Sequence, residues 1–355
     1  MHYDGQWNDH FLTKEQMDNG IGNTDVVGVI VTYNRLALLK ETVGAVMGQT
    51  HPLRKTIIID NHSTDGTAEY LASIGGNKAI ETVRLATNTG GAGGFAEGIR
   101  RAALCSPGWI WVMDDDTVPT PDAVERMVPF MGCSGVGFLN SKVVWTDGSL
   151  HLMNLPGRID DEARRKAALE RLGLGEGCGA EPIEGASFVS LFVRGSLPRE
   201  IGLPYKEFFI WSDDAEYTER ITRHGYAGLL VEGSVATHKT AENYAASIDT
   251  VPAAAAWKLY YGERNQSFMR RERKGALAFF FSQLNALRLH ARKIRRRKLP
   301  KDEERKLLAA CRKGLLAGFT FRPRVEYIDE GRTGWSTGRK WQWHLRGARR
   351  QKNRQ

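Results

Sequence analysis

Apolar residues in the first third of the chain form short blocks of two kinds. The blocks "DVVGVIVTY", "KTIIID" and "WIWVM" are continuously apolar, which is typical of strands covered on both faces. The block "LALLKETVGAVMGQ" instead repeats its apolar positions at helical spacing, and "STDGTAEYLASI" begins a second helix. Strands that alternate with helices in this way predict an α/β fold with a mostly parallel sheet.

A fourth strand, "ETVRLA", is predicted between "KTIIID" and "WIWVM", and polar residues follow each of the four strands. They are Thr32 to Arg35, Asp60 with Asn61, Asn88 to Gly94, and Asp114 to Asp116. Because ligands of such sheets bind outside the carboxyl ends of the strands, we expect the four loops to converge on one crevice.

Three adjacent carboxylates end the segment "WIWVMDDD". Burying such like charges is costly unless a cation or hydrogen-bond donors compensate them. Hard divalent cations prefer carboxylate oxygens, and a diphosphate can supply further ligands. In an extended backbone Asp114 and Asp116 point to one side and Asp115 to the other. The triplet predicts a metal site; the alternative is a solvated loop capping a helix that begins near Pro121.

Two other strand ends suggest ligand contacts. The carboxylate of Asp60 can accept a hydrogen bond from the ring N–H of a pyrimidine or from ribose hydroxyls. Alternatively, Asp60 belongs to a strand-to-helix turn that is built of capping residues. The glycines of "NTGGAGGF" allow the backbone to approach a ligand closely; alternatively, this segment is a mobile loop.

A second carboxylate pair, Asp213 and Asp214, follows an aromatic stretch at the start of a predicted helix. A helix N-terminus favours the ionised form, so one member of the pair is poised as a general base. The alternative is a helix cap. His238, after a later apolar strand, is either a metal ligand or polar surface.

Six segments in this order resemble inverting glycosyltransferases of family 2: "VIVTYNR", "IIIDNHSTDGT", "NTGGAGGFAEGI", "WVMDDD", "FFIWSDDAEYTERITRHGY" and "YYGERN". The glycine-rich segment before the triplet is most similar to galactofuranosyltransferases. The resemblance implies a GT-A (Rossmann-like) mostly parallel sheet flanked by helices, with a C-terminal helical basic extension. It places a polar lead-in at 1–24, a catalytic domain at 25–265 with its nucleotide-sugar half at 25–145 and its acceptor half at 146–265, and the extension at 266–355.

The same resemblance implies a UDP-galactofuranose donor and a glycan acceptor, lipid-linked, in cell-surface polysaccharide synthesis. Asp60 would hold the uracil, Asp214 would be the base, and Asp114, Asp116 and His238 would bind Mn²⁺ or Mg²⁺. Further donor contacts would come from Thr32, Asn34, Arg35, Asn88, Gly91, Asp114 and Asp115, and acceptor contacts from Trp211 and Asp213. Ser212 departs from a related polymerising type of enzyme, which has Trp there, and this leaves the acceptor contacts open.

The residues support this chemistry by themselves. A hydroxyl attacks the anomeric carbon as the diphosphate departs, so the site must neutralise the leaving group and remove a proton. A metal at Asp114 and Asp116 meets the first need, and Asp214 meets the second from the opposite face, which gives inversion.

The sequence leaves three alternative functions open. A rhamnosyltransferase using dTDP-rhamnose shares the early strands and the "YYGERN" segment. A haloacid-dehalogenase-like phosphatase fits the spacing of Asp114, Asp116 and Val118, although such an enzyme carries its nucleophile on the first strand. A non-catalytic nucleotide-sugar binding module is the third.

Charge and cysteine content refine the picture. The net charge is +9, but residues 291–355 carry +15 and the preceding residues −6. Four scattered cysteines without a CxxC pair suggest neither a disulfide framework nor a zinc site, and they fit a reducing cytoplasm. The opening residues are polar and mixed in charge, unlike a secretory leader.

The C-terminal third predicts peripheral attachment to an anionic membrane surface at the cytoplasmic face. No apolar run reaches the ~18 to 20 residues that span a bilayer. An apolar helix candidate, Ala276 to Leu289, directly precedes the basic "RKIRRRK", and the aromatic residues Trp335, Trp341 and Trp343 lie among basic ones. Alternatively, the helix packs beneath the catalytic domain and the tail is solvated; binding to nucleic acid is not expected.

Overall fold

The computed structural model describes residues 24–328 and Thr333–Gly334. Within residues 24–328 ten strands form one sheet. The strands are β1 (Val26–Thr32), β2 (Lys55–Asp60), β3 (Ile80–Arg84), β4 (Trp109–Asp114), β5 (Thr117–Pro119), β6 (Val136–Val144), β7 (Gly157–Arg158), β8 (Ala180–Gly185), β9 (Leu191–Arg194) and β10 (Ala227–His238). A separate two-stranded ribbon joins β11 (Val325–Glu326) to β12 (Thr333–Gly334).

Helices connect and flank these strands. They are α1 (Leu36–Met47), α2 (Thr67–Ile74), α3 (Gly90–Leu104), α4 (Val128–Met131), α5 (Glu162–Arg171), α6 (Leu197–Glu200), α7 (Asp213–Arg223), α8 (Ala256–Arg273), α9 (Ala276–Arg296) and α10 (Lys301–Ala317). The helix expected near Pro121 is replaced by a short 3₁₀ turn, Glu125–Met127, which runs into the single turn of α4.

The sheet order is β3-β2-β1-β4-β9-β6-β10-β8-β7, with β5 paired to β10. Strands β3, β2, β1 and β4 are parallel neighbours, as are β6 and β10. Strand β9 lies antiparallel between β4 and β6, and β8 runs antiparallel to β10. The predicted mostly parallel α/β sheet is therefore confirmed, and antiparallel strands join its two halves.

Both faces of the sheet are covered, which explains the continuous apolar strands. In β4, Ile110 and Val112 belong to a core cluster shared with α3, whereas Trp109 and Trp111 belong to a second cluster shared with α1 and α2. Alternate side chains of a strand point to opposite faces. A strand between two helical layers is consequently apolar at every position.

The glycine-rich segment is a helix from Gly90 onward and not the loop that we expected. A Cβ at Gly94 would lie 2.5 Å from Cγ1 of Val31, and one at Gly98 would lie 2.3 Å from Cγ1 of Val29. Gly90 has φ +73° and lies against the backbone of Phe209. These glycines allow α3 to pack directly on β1, so close packing of backbone explains them better than a ligand does.

Helices α8, α9 and α10 form a layer after the sheet. Its core includes Leu259, Ile294, Leu307 and Cys311. Among the described residues, no helix combines the length and the apolar character needed to cross a bilayer. Trp335, Trp341 and Trp343 lie outside the described residues.

Candidate functional site

The carboxyl ends of three parallel strands lie side by side. Thr32 at the end of β1 is in register with Asp60 at the end of β2, and Val31 is in register with Asp114 at the end of β4. The structure therefore brings three of the expected polar segments to one edge of the sheet.

His238 reaches the same edge through an antiparallel pairing. In that pairing it lies opposite Thr117, directly after the carboxylate triplet. Its Nε2 is 3.1 Å from Oδ1 of Asp116. Ligand-capable atoms of Asp114, Asp116 and His238 all lie within 4.8 Å of one another. Two carboxylates and an imidazole thus converge at the end of β4.

Asn154, a residue that no sequence pattern singles out, orients the imidazole of His238. Its Oδ1 lies 2.7 Å from Nδ1 of His238, while its amide nitrogen donates to Oγ of Ser187 at 2.9 Å. This pattern makes Nδ1 the donor and leaves Nε2 facing Asp116. A single asparagine in "HLMNLPG" carries no pattern that would reveal this role.

Each carboxylate of the triplet has different surroundings. Burial raises the pKa of Asp114 well above its usual range, and the charges of Asp116, Asp115 and Asp213 add to the rise. Burial also raises the pKa of Asp115 to about 6, although this carboxylate accepts from the hydroxyl of Thr32 at 2.7 Å. The pKa of Asp116 is lowered despite its burial, because His238 and Arg35 stabilise the ionised form.

Arg35 pairs with the triplet from the solvent side. Its Nη1 contacts Oδ2 of Asp116 and lies 3.5 Å from Oδ1 of Asp115. The Arg35 side chain is 51% exposed, so it can turn away when another cation or a ligand arrives. Lys258 on α8 lies nearby: burial lowers its pKa, and the charge of Arg35 lowers it further. Lys258 was missed from sequence because it lies far from the strand ends along the chain.

The residues fit a hard divalent cation. Oδ1 of Asp116 is buried and accepts no hydrogen bond in the described part of the chain. Buried polar atoms rarely lack a partner, and the atoms facing this one are a carboxylate and an oriented imidazole. Oxygen and imidazole donors suit Mn²⁺ and Mg²⁺.

The proposed nucleotide side is organised around Asp60, which is fully buried. Its Oδ1 accepts from the amide of Ser63 at 2.8 Å, and its Oδ2 pairs with Arg84 at 2.9 Å. Asn34, with φ +55°, accepts from the amide of Thr64 at 2.7 Å, which joins the first two loops. Asp60 thus holds the turn, and both of its oxygens are engaged by partners within the chain.

Asn88 and Gly91 lie at the start of α3. Oδ1 of Asn88 accepts from the amide of Gly90 at 2.8 Å. No atom beyond its own helix lies within 4 Å of where a Cβ at Gly91 would be. Among the first glycines of the helix, Gly91 therefore faces open space, whereas Gly90 and Gly94 are packed.

Asp213 and Asp214 occupy the first two positions of α7. The sequence predicts that the helix N-terminus favours the ionised form and that one member of the pair is poised as a base; burial opposes this effect. Burial and then the charge of Asp214 raise the pKa of Asp213 to about 8, and burial also raises the pKa of Asp214. Asp213 is 7% exposed and Asp214 is less buried, with its Oδ1 accepting from Ala215 at 2.7 Å.

The turn before this pair is strained. Phe209, Trp211 and Ser212 all have positive φ, between +66° and +70°, although none is glycine. The amide nitrogen of the buried Asn265 lies 2.9–3.1 Å from the carbonyl oxygens of Phe208, Ile210 and Trp211. Such a turn persists only where its surroundings hold it. Asn265, in the "YYGERN" segment, supplies that restraint, a role that its sequence context did not reveal.

Trp211, an expected acceptor contact, packs against α8. A Cβ at Gly262 would lie 2.7 Å from Cε3 of Trp211, so the glycine makes room for the indole. The same helix supplies Arg264, whose guanidinium donates to the carbonyls of Glu207 and Phe208 at 2.6 and 3.2 Å. One helix therefore fixes both the ring and the backbone beside the carboxylate pair.

Comparison with known proteins agrees with this arrangement. The chain matches the family model described as glycosyl transferase family 2 over residues 29–175. It is 28% identical over 216 residues to galactofuranosyltransferase GlfT1 of Mycolicibacterium smegmatis, covering 57% of this chain and 67% of that protein. GlfT1 of Mycobacterium tuberculosis is 28% identical over 209 residues, covering 56% of this chain and 65% of the relative. The matched part thus spans about two thirds of these relatives.

A solved structure shares the architecture. The crystal structure of GalNAc-T7 with UDP, GalNAc and Mn²⁺ superposes with a TM-score of 0.53 at 16% sequence identity, covering 71% of this chain and 50% of that one. At this identity the likeness concerns the fold alone, and it confirms the expected GT-A architecture.

Proposed function

We propose that this chain, whose residues 29–175 match the model of glycosyl transferase family 2, is an enzyme of that family and transfers galactofuranose from UDP-galactofuranose to a hydroxyl of a glycan acceptor, with inversion at the anomeric carbon. The product belongs to a cell-surface polysaccharide. The galactofuranosyltransferase relatives support the choice of donor. One observation carries the proposal: ligand-capable atoms of Asp114, Asp116 and His238 come together at the carboxyl end of β4.

The second carboxylate pair, Asp213 and Asp214, is electrostatically linked to this group. Burial raises the pKa of Asp114, and the charge of Asp213 is among the causes that add to the rise. Asp114, Asp116 and His238 would hold Mn²⁺ or Mg²⁺, which when bound neutralises the diphosphate that departs. On the donor side, Asp60 would accept from the uracil, and Arg35 would move from Asp116 to the phosphates.

Proton removal falls to Asp214. The acceptor hydroxyl loses its proton to this carboxylate as its oxygen bonds to the anomeric carbon and the bond to the diphosphate breaks. The amide of Ala215 donates to Oδ1 of Asp214 and orients the group. Asp213 is the more buried of the two, and burial raises its pKa to about 8, so the proposal gives the proton to Asp213 and the role of base to Asp214.

A panel of nucleotide sugars tests the donor. The purified chain is incubated with UDP-galactofuranose, UDP-galactopyranose and dTDP-rhamnose, and binding is measured by calorimetry while products are analysed by mass spectrometry. We expect binding and slow hydrolysis of UDP-galactofuranose alone. Tight binding of dTDP-rhamnose without binding of UDP-galactofuranose would replace the proposal by a rhamnosyltransferase, and release of inorganic phosphate would replace it by a phosphatase.

Metal removal tests the site. Transfer is expected to stop in excess chelator and to return with Mn²⁺ or Mg²⁺. Asp114→Ala and Asp116→Ala should each abolish transfer while circular dichroism stays unchanged, and Asp122→Ala, on the surface after the triplet, is the matched control. Full transfer in excess chelator contradicts the metal assignment.

The proposed acceptor is lipid-linked. Helix α9 would attach the protein to the cytoplasmic face of an anionic membrane. Leu277, Phe281 and Leu284 are 78%, 64% and 38% exposed, and they lie at helical spacing on one stripe. The same stripe continues through the exposed Arg288 and Arg292. Apolar side chains followed by basic ones suit the interface of an anionic bilayer, where each basic residue contributes about 1 kcal/mol.

Liposome co-sedimentation tests this attachment. Phe281→Ser is expected to weaken binding to vesicles that contain phosphatidylglycerol, and so is the double change Arg295→Gln with Arg296→Gln. Lys78→Gln with Lys142→Gln removes the same charge elsewhere and should change nothing. Arg297 is left intact because it donates to the carbonyls of Ile248 and Val251. If the parent protein stays in the supernatant at low salt, the membrane assignment is wrong.

A further inference from the structure

Three helices meet at a second group of metal-ligating side chains, away from the crevice. Glu263 lies on α8, His290 on α9 and Cys311 on α10, and one ligand-capable atom of each lies within 4.8 Å of the other two. Nδ1 of His290 is 3.2 Å from Oε1 of Glu263. The side chains of Glu263 and His290 are 12% and 20% exposed, and Cys311 is buried.

Hydrogen bonding leaves this cluster unsatisfied. Oε2 of Glu263 and Nδ1 of His290 are buried and have no hydrogen-bond partner in the described part of the chain. Arg270 forms an ion pair with Oε2 of Glu263 at 3.8 Å, a distance too long for a hydrogen bond. It donates instead to Ser267 at 3.1 Å and to Gln283 at 3.2 Å. Buried polar atoms without partners are rare, and two on facing helices indicate a missing ligand.

The donor set identifies the class of that ligand. A thiolate, an imidazole and a carboxylate together are the ligands of zinc, whereas Mg²⁺ takes oxygen ligands almost exclusively. The 3.2 Å between Nδ1 of His290 and Oε1 of Glu263 is the spacing that two bonds of ~2.0–2.2 Å to one centre give. We propose that Glu263, His290 and Cys311 bind a thiophilic divalent cation of the zinc class, with a fourth position for water.

Binding requires a lone pair on the imidazole of His290 and the thiolate form of Cys311. Binding forms the sulfur–metal bond and releases the thiol proton to solvent; no oxidation or reduction takes place.

The position of Glu263 connects this site to the crevice. It is flanked on α8 by Gly262, which accommodates Trp211, and by Arg264 and Asn265, which hold the strained turn before Asp213. A cation that ties α8 to α9 and α10 therefore fixes the helix that shapes the proposed acceptor side. The site itself does not depend on the proposed donor or reaction.

Cobalt substitution tests the site in the full-length protein. Co²⁺ bound by a thiolate gives a near-ultraviolet charge-transfer band that oxygen and nitrogen ligands do not give. We expect this band in the parent, in Asp116→Asn, which removes a ligand of the crevice group, and in Cys105→Ser, the matched cysteine control. It should be lost in Cys311→Ser and strongly reduced in His290→Gln.

Zinc content gives a second readout. After dialysis against zinc and then metal-free buffer, mass spectrometry should find zinc retained by Asp116→Asn and lost from Cys311→Ser and His290→Gln, with circular dichroism showing that each variant is folded. Zinc should raise the Tm of the parent and of Asp116→Asn but not that of His290→Gln. A parent without the thiolate band, or a band that persists in Cys311→Ser, overturns the assignment whatever the sugar-transfer assays show.

Discussion

Oδ1 of Asn154 lies 2.7 Å from Nδ1 of His238, and this contact decides which ring nitrogen faces Asp116. A neutral imidazole donates through one nitrogen and accepts through the other. With Nδ1 donating to the amide oxygen, Nε2 is the ring nitrogen that faces Asp116, at 3.1 Å from its Oδ1. Asn154, which is not among the expected metal ligands, therefore orients the ligand His238.

We predict that Asn154→Ala weakens binding of the divalent cation by ~10 to 100-fold, since loss of a partner that orients a ligand has this effect. The measurement is a Mn²⁺ titration of UDP binding by calorimetry. Asn154→Asp keeps an oxygen acceptor and should stay near the parent. An unchanged half-saturating Mn²⁺ concentration in Asn154→Ala would remove Asn154 from the metal site.

Asp214→Asn should lose ~10² to 10⁴ in transfer rate while the donor still binds, because an amide keeps the shape of the carboxylate but accepts no proton. The rate of transfer and the affinity for UDP are measured on the same preparations. Asp213→Asn is the matched comparison and should retain more activity. The reverse pattern, with Asp213→Asn inactive and Asp214→Asn nearly normal, would exchange the roles of the two residues.

The pH dependence of stability should report on Asp213. Its pKa is raised to about 8 in the folded chain, whereas an unfolded aspartate titrates near ~3.9. Between these values the unfolded state releases the proton and the folded state keeps it, so the free energy of unfolding falls as pH rises.

Asp213→Asn should remove this loss. In denaturant titrations with chelator present, the variant should gain stability over the parent progressively from about pH 4 to about pH 8. Little difference is expected below that range, where both states of the parent are protonated. Asp160→Asn, at an exposed aspartate, is the control. Parallel stability curves for Asp213→Asn and the parent would show that burial does not raise this pKa.

Asn265→Ala should reduce the turnover number by up to ~10²-fold, because small displacements of a catalytic group have effects of this size. The change removes the restraint on the turn from Phe209 to Ser212, and it should leave UDP affinity unchanged. The kcat and the KM values for donor and acceptor are measured on preparations whose UDP-binding stoichiometry gives the concentration of folded protein, which separates this effect from loss of folded protein.

The exposed neighbour Gln266 provides the control for that experiment. Gln266→Ala keeps the helix and should leave all three kinetic constants unchanged. If Asn265→Ala lowers the Tm but its kcat equals that of the parent, Asn265 stabilises the fold without positioning the carboxylate pair.

The sequence by itself determined the sheet and the edge at which the site lies. Continuously apolar strands and amphipathic helices are local patterns, and the ends of parallel strands must meet at one edge. Thr32, Asp60 and Asp114 were therefore expected together, and the register of β1, β2 and β4 brings them together. The family motifs added the order of the later segments.

Only the tertiary structure decided which side chains meet across distant segments and how burial changes them. Asn154 meets His238, and Glu263 meets His290 and Cys311, through contacts that no sequence spacing encodes. The glycine-rich segment is a helix, and its glycines allow that helix to pack directly against β1. Burial, which local sequence does not reveal, outweighed the helix N-terminus at Asp213, since desolvation of a carboxylate depends on everything that surrounds it.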